Sequence, residues 1–316
     1  MLYDIFLIAA GLVILVFAGD ALVRGAVSLS LKMGVSALIV SLTVVAFGTS
    51  APEMLVGIKA TLDGATGIVY GNVVGSNIAN ILLVLGLPVL LAPIATGQHG
   101  GRRNFAMMLA TTILFIAISS YGGITFWMGL AFIGLLCALI FDAYSIARND
   151  PSIVDTSEVD EIDAGEPRWK VWGLLGIGIL GLPIGARLLV DGAQALALDF
   201  GISEAAVGLT IVAIGTSLPE LATTTMAALR RQADVAVGNV VGSNLFNILA
   251  VMGASALFGP QPTPAGFLEL DFWIMLAASL VLAPFIFLHK PITRPTGVIF
   301  LAAYVVYIVF ALGPRM

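Results

Sequence analysis

Two eight-residue stretches 167 positions apart carry the same pattern: Ala46–Glu53 reads AFGTSAPE and Ala213–Glu220 reads AIGTSLPE. A second motif repeats at the same offset, GNVVGSN at Gly71–Asn77 and again at Gly238–Asn244. The offset pairs Thr49 with Thr216, Glu53 with Glu220, Ser76 with Ser243, Asn80 with Asn247 and Gly86 with Gly253. It extends upstream, where Gly34, Ser36, Leu42, Thr43 and Gly48 match Gly201, Ser203, Leu209, Thr210 and Gly215. Each copy places a carboxylate, hydroxyls and amides inside apolar sequence, where ionisable groups are functional candidates by default.

Those surroundings are membrane-grade. Of the 316 residues, 59% are hydrophobic and 10% charged, and the mean hydropathy is +1.06. Soluble domains carry about 25% charged residues, so the composition excludes an ordinary soluble domain. Apolar stretches near the ~20 residues of a spanning helix recur ten times, at about 4–28, 35–62, 69–93, 104–120, 124–147, 169–195, 202–229, 236–259, 268–288 and 294–312. The expected class is an all-α polytopic membrane protein. The first stretch lacks a small-residue cleavage site and is expected to remain as a span. The net charge of −5 is set largely by Asp150, Asp155, Glu158, Asp160, Glu161, Asp163 and Glu166, between spans five and six. That run lacks the Gly and spacing of an EF-hand and reads as a solvated linker. Basic residues are few and scattered, which argues against nucleic acid as a partner. Cys137 is the single cysteine and forms no intramolecular disulfide.

Lys and Arg placement sets the expected orientation. Alternate loops hold Arg24, Lys32, Arg102, Arg103, Arg148, Arg168, Lys170, Arg230, Arg231, Lys290 and Arg294, against Lys59, Arg187 and Arg315 on the other side. The richer side is read as cytoplasmic, with both termini outside. Five spans, an odd number, separate equivalent positions, so the second copy enters the membrane upside down. The expected organisation is 1–147 as a first five-helix half, 148–168 as an acidic cytoplasmic linker, and 169–316 as a second, inverted half. Inverted repeats bring equivalent motifs together near the bilayer midplane, as in many secondary transporters. Asp20 and Arg24 are four apart on span one, and Arg187 and Asp191 hold the equivalent positions with signs exchanged. Each pair is expected to close within its own helix.

The motif chemistry points to a hard cation. Pro52 suits the first turn of a helix but not its interior, and Ser50-x-x-Glu53 has the form of a capping box. A break into half-helices is therefore expected near Gly48–Ser50, with its counterpart in the second repeat. It would free carbonyls around Ala46, Phe47 and Thr49, and around Ala213, Ile214 and Thr216, beside the hydroxyls of Ser50 and Ser217. Ser76 and Asn80 share a helix face, as do Ser243 and Asn247; Asn77 and Asn244 lie one residue along, where they could cap or pack. Gly71 and Gly75, like Gly238 and Gly242, form GxxxG pairs that allow close helix approach. Ca²⁺ takes about 6–8 oxygen ligands, carboxylates among them, and Glu53 with Glu220 supply two negative charges. Neither Cys nor His accompanies these motifs, which disfavours Zn or Cu.

These residues resemble the two alpha-repeats of the sodium/calcium exchanger branch of the cation/calcium exchanger superfamily, in a compact prokaryotic form without the large regulatory loop of animal exchangers. The resemblance covers almost the whole chain and is most specific at GTSxPE and GNVVGSN. It implies exchange of Na⁺ for Ca²⁺ by alternating access, with spans one and six as the sliding pair, the two ions as transported substrates and no cofactor. It further implies a central calcium site of Glu53, Glu220, Thr49 and Thr216. Flanking sodium sites would use Ala46, Thr49, Ser50, Glu53, Ser76 and Asn80 on one side, and Ala213, Thr216, Ser217, Glu220, Ser243 and Asn247 on the other. One departure stands out: several family members carry an Asp where this chain has Asn80 or Asn247, which makes potassium co-transport a poorer expectation. The competing expectations are an H⁺-coupled Ca²⁺ exchanger using the same Glu pair, and a cation channel. An enzyme is disfavoured, because no Ser–His, Cys–His or nucleotide-binding motif accompanies the two Glu residues.

Overall fold

The computed structural model describes residues 1–96, 101–149, 167–200 and 213–312. The equivalents Gly201, Ser203, Leu209 and Thr210, the acidic run 150–166, His99 and Arg315 lie outside them. Among the described residues, nine helices are long and apolar enough to cross a membrane. They are α1 (Leu2–Met33), α2 (Ala37–Leu62), α3 (Thr66–Leu91), α4 (Gly101–Ser120), α5 (Phe126–Asn149), α6 (Arg168–Asp199), α8 (Ala233–Phe258), α9 (Phe267–Leu288) and α10 (Arg294–Leu312). Span seven, α7, is described from Ala213 onward as Ala213–Gly215 and Leu218–Leu229. Helix is what such sequence must adopt, since lipid offers no partner for backbone N–H and C=O groups.

The repeat is written into the backbone residue by residue. In α3 the chain is α-helical to Ala79, π-helical over Asn80–Leu85 and α-helical again over Gly86–Leu91. In α8 the same succession ends at Phe246, runs Asn247–Met252 and resumes at Gly253–Phe258, each boundary displaced by 167. The turn after α2 has Gly64 at φ 73°, with Ala65 N–H bonded to Ala60 O at 2.8 Å. After α7, Arg231 takes φ 56°, and Gln232 N–H bonds Ala227 O at 2.8 Å. The second copy thus accepts the strain of a left-handed non-glycine residue to keep the geometry of the first.

Burial separates core from periphery. The most apolar window of α8 is 94% buried and that of α3 78%, against 33% in α1 and 28% in α6. α1 and α6 lie antiparallel along each other, and their seam is two-fold symmetric. Gly11 packs against Leu189 and its equivalent Gly178 against Leu22; Gly25 packs against Leu175 and its equivalent Gly192 against Ile8. Small residues let the two backbones approach closely. At one end of the molecule Gly123–Ile124 (β1) pairs antiparallel with Gln261–Pro262 (β2). At the other end Ile94 bridges to Ile292. The α4–α5 and α8–α9 connections therefore share one face, and the α3–α4 and α9–α10 connections share the opposite one.

Two expectations are corrected. The break near Gly48–Ser50 does not form in the first repeat: Ala46–Leu62 is continuous helix with Pro52 inside, preceded by a π-helical turn at Ser41–Val45. Pro52 has no N–H, so the Gly48 carbonyl loses its helix partner without an interruption of the helix. In the second repeat the interruption is present, since Thr216 and Ser217 form a turn before Leu218–Leu229, whose first turn carries Pro219. Asp20, expected to pair with Arg24 on its own helix, is instead bonded by Arg230 of α7. The packing of α1 on α7 brings a guanidinium from a distant part of the chain within direct reach. Arg187 and Asp191 do pair within α6, at 3.6 Å.

Candidate functional site

Both motif carboxyl groups are buried inside the bundle. Glu53 on α2 and Glu220 on α7 are each 1% exposed, and the two side chains interact electrostatically. They come from opposite repeats, so the inversion has brought equivalent residues near each other. Thr49, Ser50, Ser76, Asn80, Ser217, Ser243, Asn247 and the Ala46 side chain are likewise buried. Thr216 is half-buried and engaged in an interaction of its own. Ala213 begins the short helical piece ahead of the α7 turn.

Hydrogen bonds knit the two halves across this centre. Ser50 Oγ donates to Glu220 Oε1 at 3.3 Å, and the hydroxyls of Thr49 and Ser243 lie within reach of the same carboxyl group. Thr49 Oγ1 lies 3.4 Å from Ser243 Oγ and 3.3 Å from Ala46 O. Asn80 Nδ2 donates to Asn244 Oδ1 at 3.0 Å, and Asn244 Nδ2 donates to Asn77 O at 3.4 Å. Asn244 thus joins the halves through its side chain and Asn77 through its backbone carbonyl, while the Asn77 amide bonds Val73 O of its own helix at 2.6 Å. The capping-box expectation is also corrected: Ser50 is committed to Glu220, and Ser217, at the N-cap of Leu218–Leu229, makes no side-chain cap bond.

Two residues that the motif reading did not single out bond the backbone of the two Glu residues. Asn72 Nδ2 donates to the backbone carbonyl of Glu53 at 3.0 Å. Its equivalent Asn239 donates to the carbonyl of Glu220 at 3.3 Å and to Thr224 Oγ1 at 3.0 Å, and accepts from Thr49 Oγ1 at 3.4 Å. Both are the first Asn of GNVVGSN. Their repetition at the common offset was the signal available in the chain. The close approach of α8 to α2 that permits these contacts depends on Gly238 and Gly242. A Cβ on Gly242 would come within 2.7 Å of both Leu42 O and the Ala46 Cβ.

The centre is not self-satisfied. Glu53 Oε2, Glu220 Oε2, Asn77 Oδ1, Asn80 Oδ1, Ser217 Oγ and both polar atoms of the Asn247 amide are buried without a hydrogen-bond partner. Buried polar groups are nearly always partnered, and an unpaired one costs about 1–3 kcal/mol, more when charged. With two carboxylates among them, these orphaned oxygens are donors of the kind that suits a hard cation such as Ca²⁺ or Na⁺. Neither Cys nor His belongs to this set.

Comparison with known proteins agrees with that chemistry. The family described as "Sodium/calcium exchanger protein" matches residues 3–144 and 170–313. The inner membrane protein YrbG of Escherichia coli is 34% identical over 316 residues, covering 98% of this chain and 96% of YrbG. The sodium/calcium exchanger MaX1 of Methanosarcina acetivorans is 32% identical over 335 residues, covering 95% of each. A solved structure of the sodium-calcium exchanger NCX_Mj, soaked without Na⁺ and Ca²⁺, superimposes with a TM-score of 0.85 at 31% identity, covering 98% of this chain and 99% of that one. The ten-helix inverted-repeat architecture is common to both. With a family match over nearly its whole length and an exchanger fold to go with it, this multi-pass membrane protein belongs to the sodium/calcium exchanger family.

Proposed function

We propose that this cation/calcium exchanger is a secondary antiporter that couples Na⁺ flow in one direction to Ca²⁺ flow in the other by alternating access. One observation carries the reading: two buried carboxyl groups, one from each inverted repeat, keep unpartnered oxygens, as do the amide oxygens of Asn77 and Asn80 and both polar atoms of the Asn247 amide. Glu53 and Glu220, with Thr49 and Thr216, hold Ca²⁺; their two charges are neutralised by one Ca²⁺ or by two Na⁺. Sodium uses the flanking sets: Ala46, Thr49, Ser50, Glu53, Ser76 and Asn80, and Ala213, Thr216, Ser217, Glu220, Ser243 and Asn247. Asn72 and Asn239 position the two Glu residues from behind. The hydroxyls converging on Glu220 favour Na⁺ over H⁺ as the coupling ion, because they add neutral oxygen ligands that a proton does not need.

The protein resides in a prokaryotic cytoplasmic membrane with both termini outside, in keeping with the Lys and Arg distribution and with the name of YrbG. Residues 1–147 and 169–316 act as the two halves, joined by the cytoplasmic 148–168 segment. Purified protein in Na⁺-loaded proteoliposomes should take up ⁴⁵Ca²⁺ when external Na⁺ is removed. Uptake driven by a pH gradient and indifferent to Na⁺ would replace Na⁺ by H⁺ as the coupling ion. Single-channel currents would replace exchange by conduction.

A further inference from the structure

The two halves are equivalent in sequence but not in their ion pairs. Asp20 on α1 is bonded to Arg230 at the end of α7. Displaced by 167 positions, the same two places are Arg187 on α6 and Asp63 at the end of α2, with both signs exchanged. Those residues are not paired with each other: Arg187 pairs with Asp191 at 3.6 Å, and Asp63 pairs with Lys59 at 2.8 Å. Exposure follows the same split. Asp20 and Arg230 are 21% and 28% exposed, whereas Arg187 and Asp63 are 84% and 59% exposed.

The neighbouring apolar contacts repeat the asymmetry. Gly19 packs close against Ala222 and Met226 of α7, which seals the seam between α1 and the core. The equivalents of Ala222 and Met226 are Leu55 and Lys59 on α2, and both are exposed. The seam between α1 and α6, by contrast, keeps its two-fold symmetry, with Gly11 on Leu189 mirrored by Gly178 on Leu22. The asymmetry therefore lies between the α1–α6 pair and the rest of the molecule, not within the pair.

We infer that Asp20, Arg230, Arg187 and Asp63 form a pair of reciprocal ionic latches. Asp20–Arg230 closes one face of the bundle in the present state, and Arg187–Asp63 closes the opposite face after the α1–α6 pair shifts on the core. This inference rests on the alternating-access reading above. Exchanging the conformations of two inverted repeats converts one access state into the other. Under that exchange Asp20 passes from Arg230 to Arg24, as Arg187 passes from Asp191 to Asp63. The intrahelical Arg187–Asp191 pair is thus the parked form of one latch, and an Asp20–Arg24 pair is the parked form of the other. Neither Asp20 nor Arg187 is left without a counter-charge in either state. That matters because stripping the partner from a partly buried charge is costly, whereas trading one partner for another keeps the two states close in free energy. Opposite signs on equivalent positions also prevent cross-pairing, since Asp20 would meet Asp63, and Arg187 would meet Arg230, as like charges.

The test uses full-length protein in proteoliposomes with Cys137→Ser as parent, Cys137 being exposed and on α5, which carries none of the four latch residues. Two double variants, Asp20→Cys/Arg230→Cys and Asp63→Cys/Arg187→Cys, are treated with a short bifunctional thiol reagent whose bridge is reducible. Both are expected to cross-link, each cross-link to stop Ca²⁺ exchange, and reduction to restore it. Adding Asp20→Asn to the Asp63→Cys/Arg187→Cys protein should speed its cross-linking several-fold by weakening the closed latch. Exchange in the parent with no cross-link between positions 63 and 187, or a cross-link that leaves exchange intact, would overturn the latches and spare the transport reading. A parent that moves no Ca²⁺ would overturn the transport reading, and the latches with it.

Discussion

Ser50 of the first repeat donates a hydrogen bond to the Glu220 carboxylate of the second at 3.3 Å. That bond crosses the interface between two halves that enter the membrane in opposite senses. It ties a residue of one GTSxPE motif to the acid of the other, so the two motifs meet across that interface. Ser50 donates outward in this way because the helix around it is continuous and requires no cap.

Replacing either acid should therefore disable the whole centre. Glu53→Gln and Glu220→Gln are each expected to lower Ca²⁺ transport by about 30-fold or more, since truncating one charge that faces a buried cation costs about 2–5 kcal/mol of affinity. Size-exclusion profile and melting temperature should stay near wild type. Isotope flux checks the prediction, and wild-type rates in either variant would refute the site.

Asn72 and Asn239 occupy equivalent positions but carry unequal loads. Asn239 serves Glu220 O, Thr224 and Thr49, whereas Asn72 serves Glu53 O alone. Asn239→Ala should raise the half-saturating Ca²⁺ concentration by roughly tenfold or more, from about 1–3 kcal/mol of unsatisfied polar groups. Asn72→Ala should have a smaller effect. Ca²⁺ titration of exchange in both variants decides it, and equal shifts would contradict the positioning role.

Asn80 presents an unpartnered Oδ1 to the centre while its Nδ2 is held by Asn244. Asn80→Asp adds a third acidic group and replaces that donor by an acceptor. The expected outcome is altered preference among Na⁺, K⁺ and Ca²⁺ and an altered pH profile of exchange. Competition assays across pH would show it; unchanged profiles would place Asn80 away from the ions.

Gly242 sits where α8 meets α2, and a methyl group there would fall 2.7 Å from the Leu42 carbonyl, a backbone atom with little room to yield. Gly242→Ala should destabilise the fold by about 1–3 kcal/mol, the usual cost of overpacking. Thermal denaturation in detergent measures this, and an unchanged midpoint would show that the helices separate easily.

Much of this protein was legible from residue order. Spans, repeat, inversion and the acidic centre follow from hydropathy and one constant offset, because membrane insertion responds to local apolar length and an odd number of crossings reverses direction. Thr49 of one motif set reaches Ser243 of the other, and Ser50 reaches Glu220, so the two copies meet where the common offset pairs them. The roles of Asn72 and Asn239 were less legible, because a motif marks residues without marking which carbonyl an amide will reach.

The differences between the two halves belonged to tertiary structure alone. Near-identical GTSxPE sequences give a continuous helix through Pro52 in one half and a turn at Thr216–Ser217 in the other. Asp20 ignores a possible partner four residues away for Arg230, while Arg187 keeps Asp191. Sequence symmetry specifies which residues are equivalent. Which arrangement each half adopts shows only in packing between distant segments, such as Asp20 of α1 against Arg230 of α7, that no local pattern encodes.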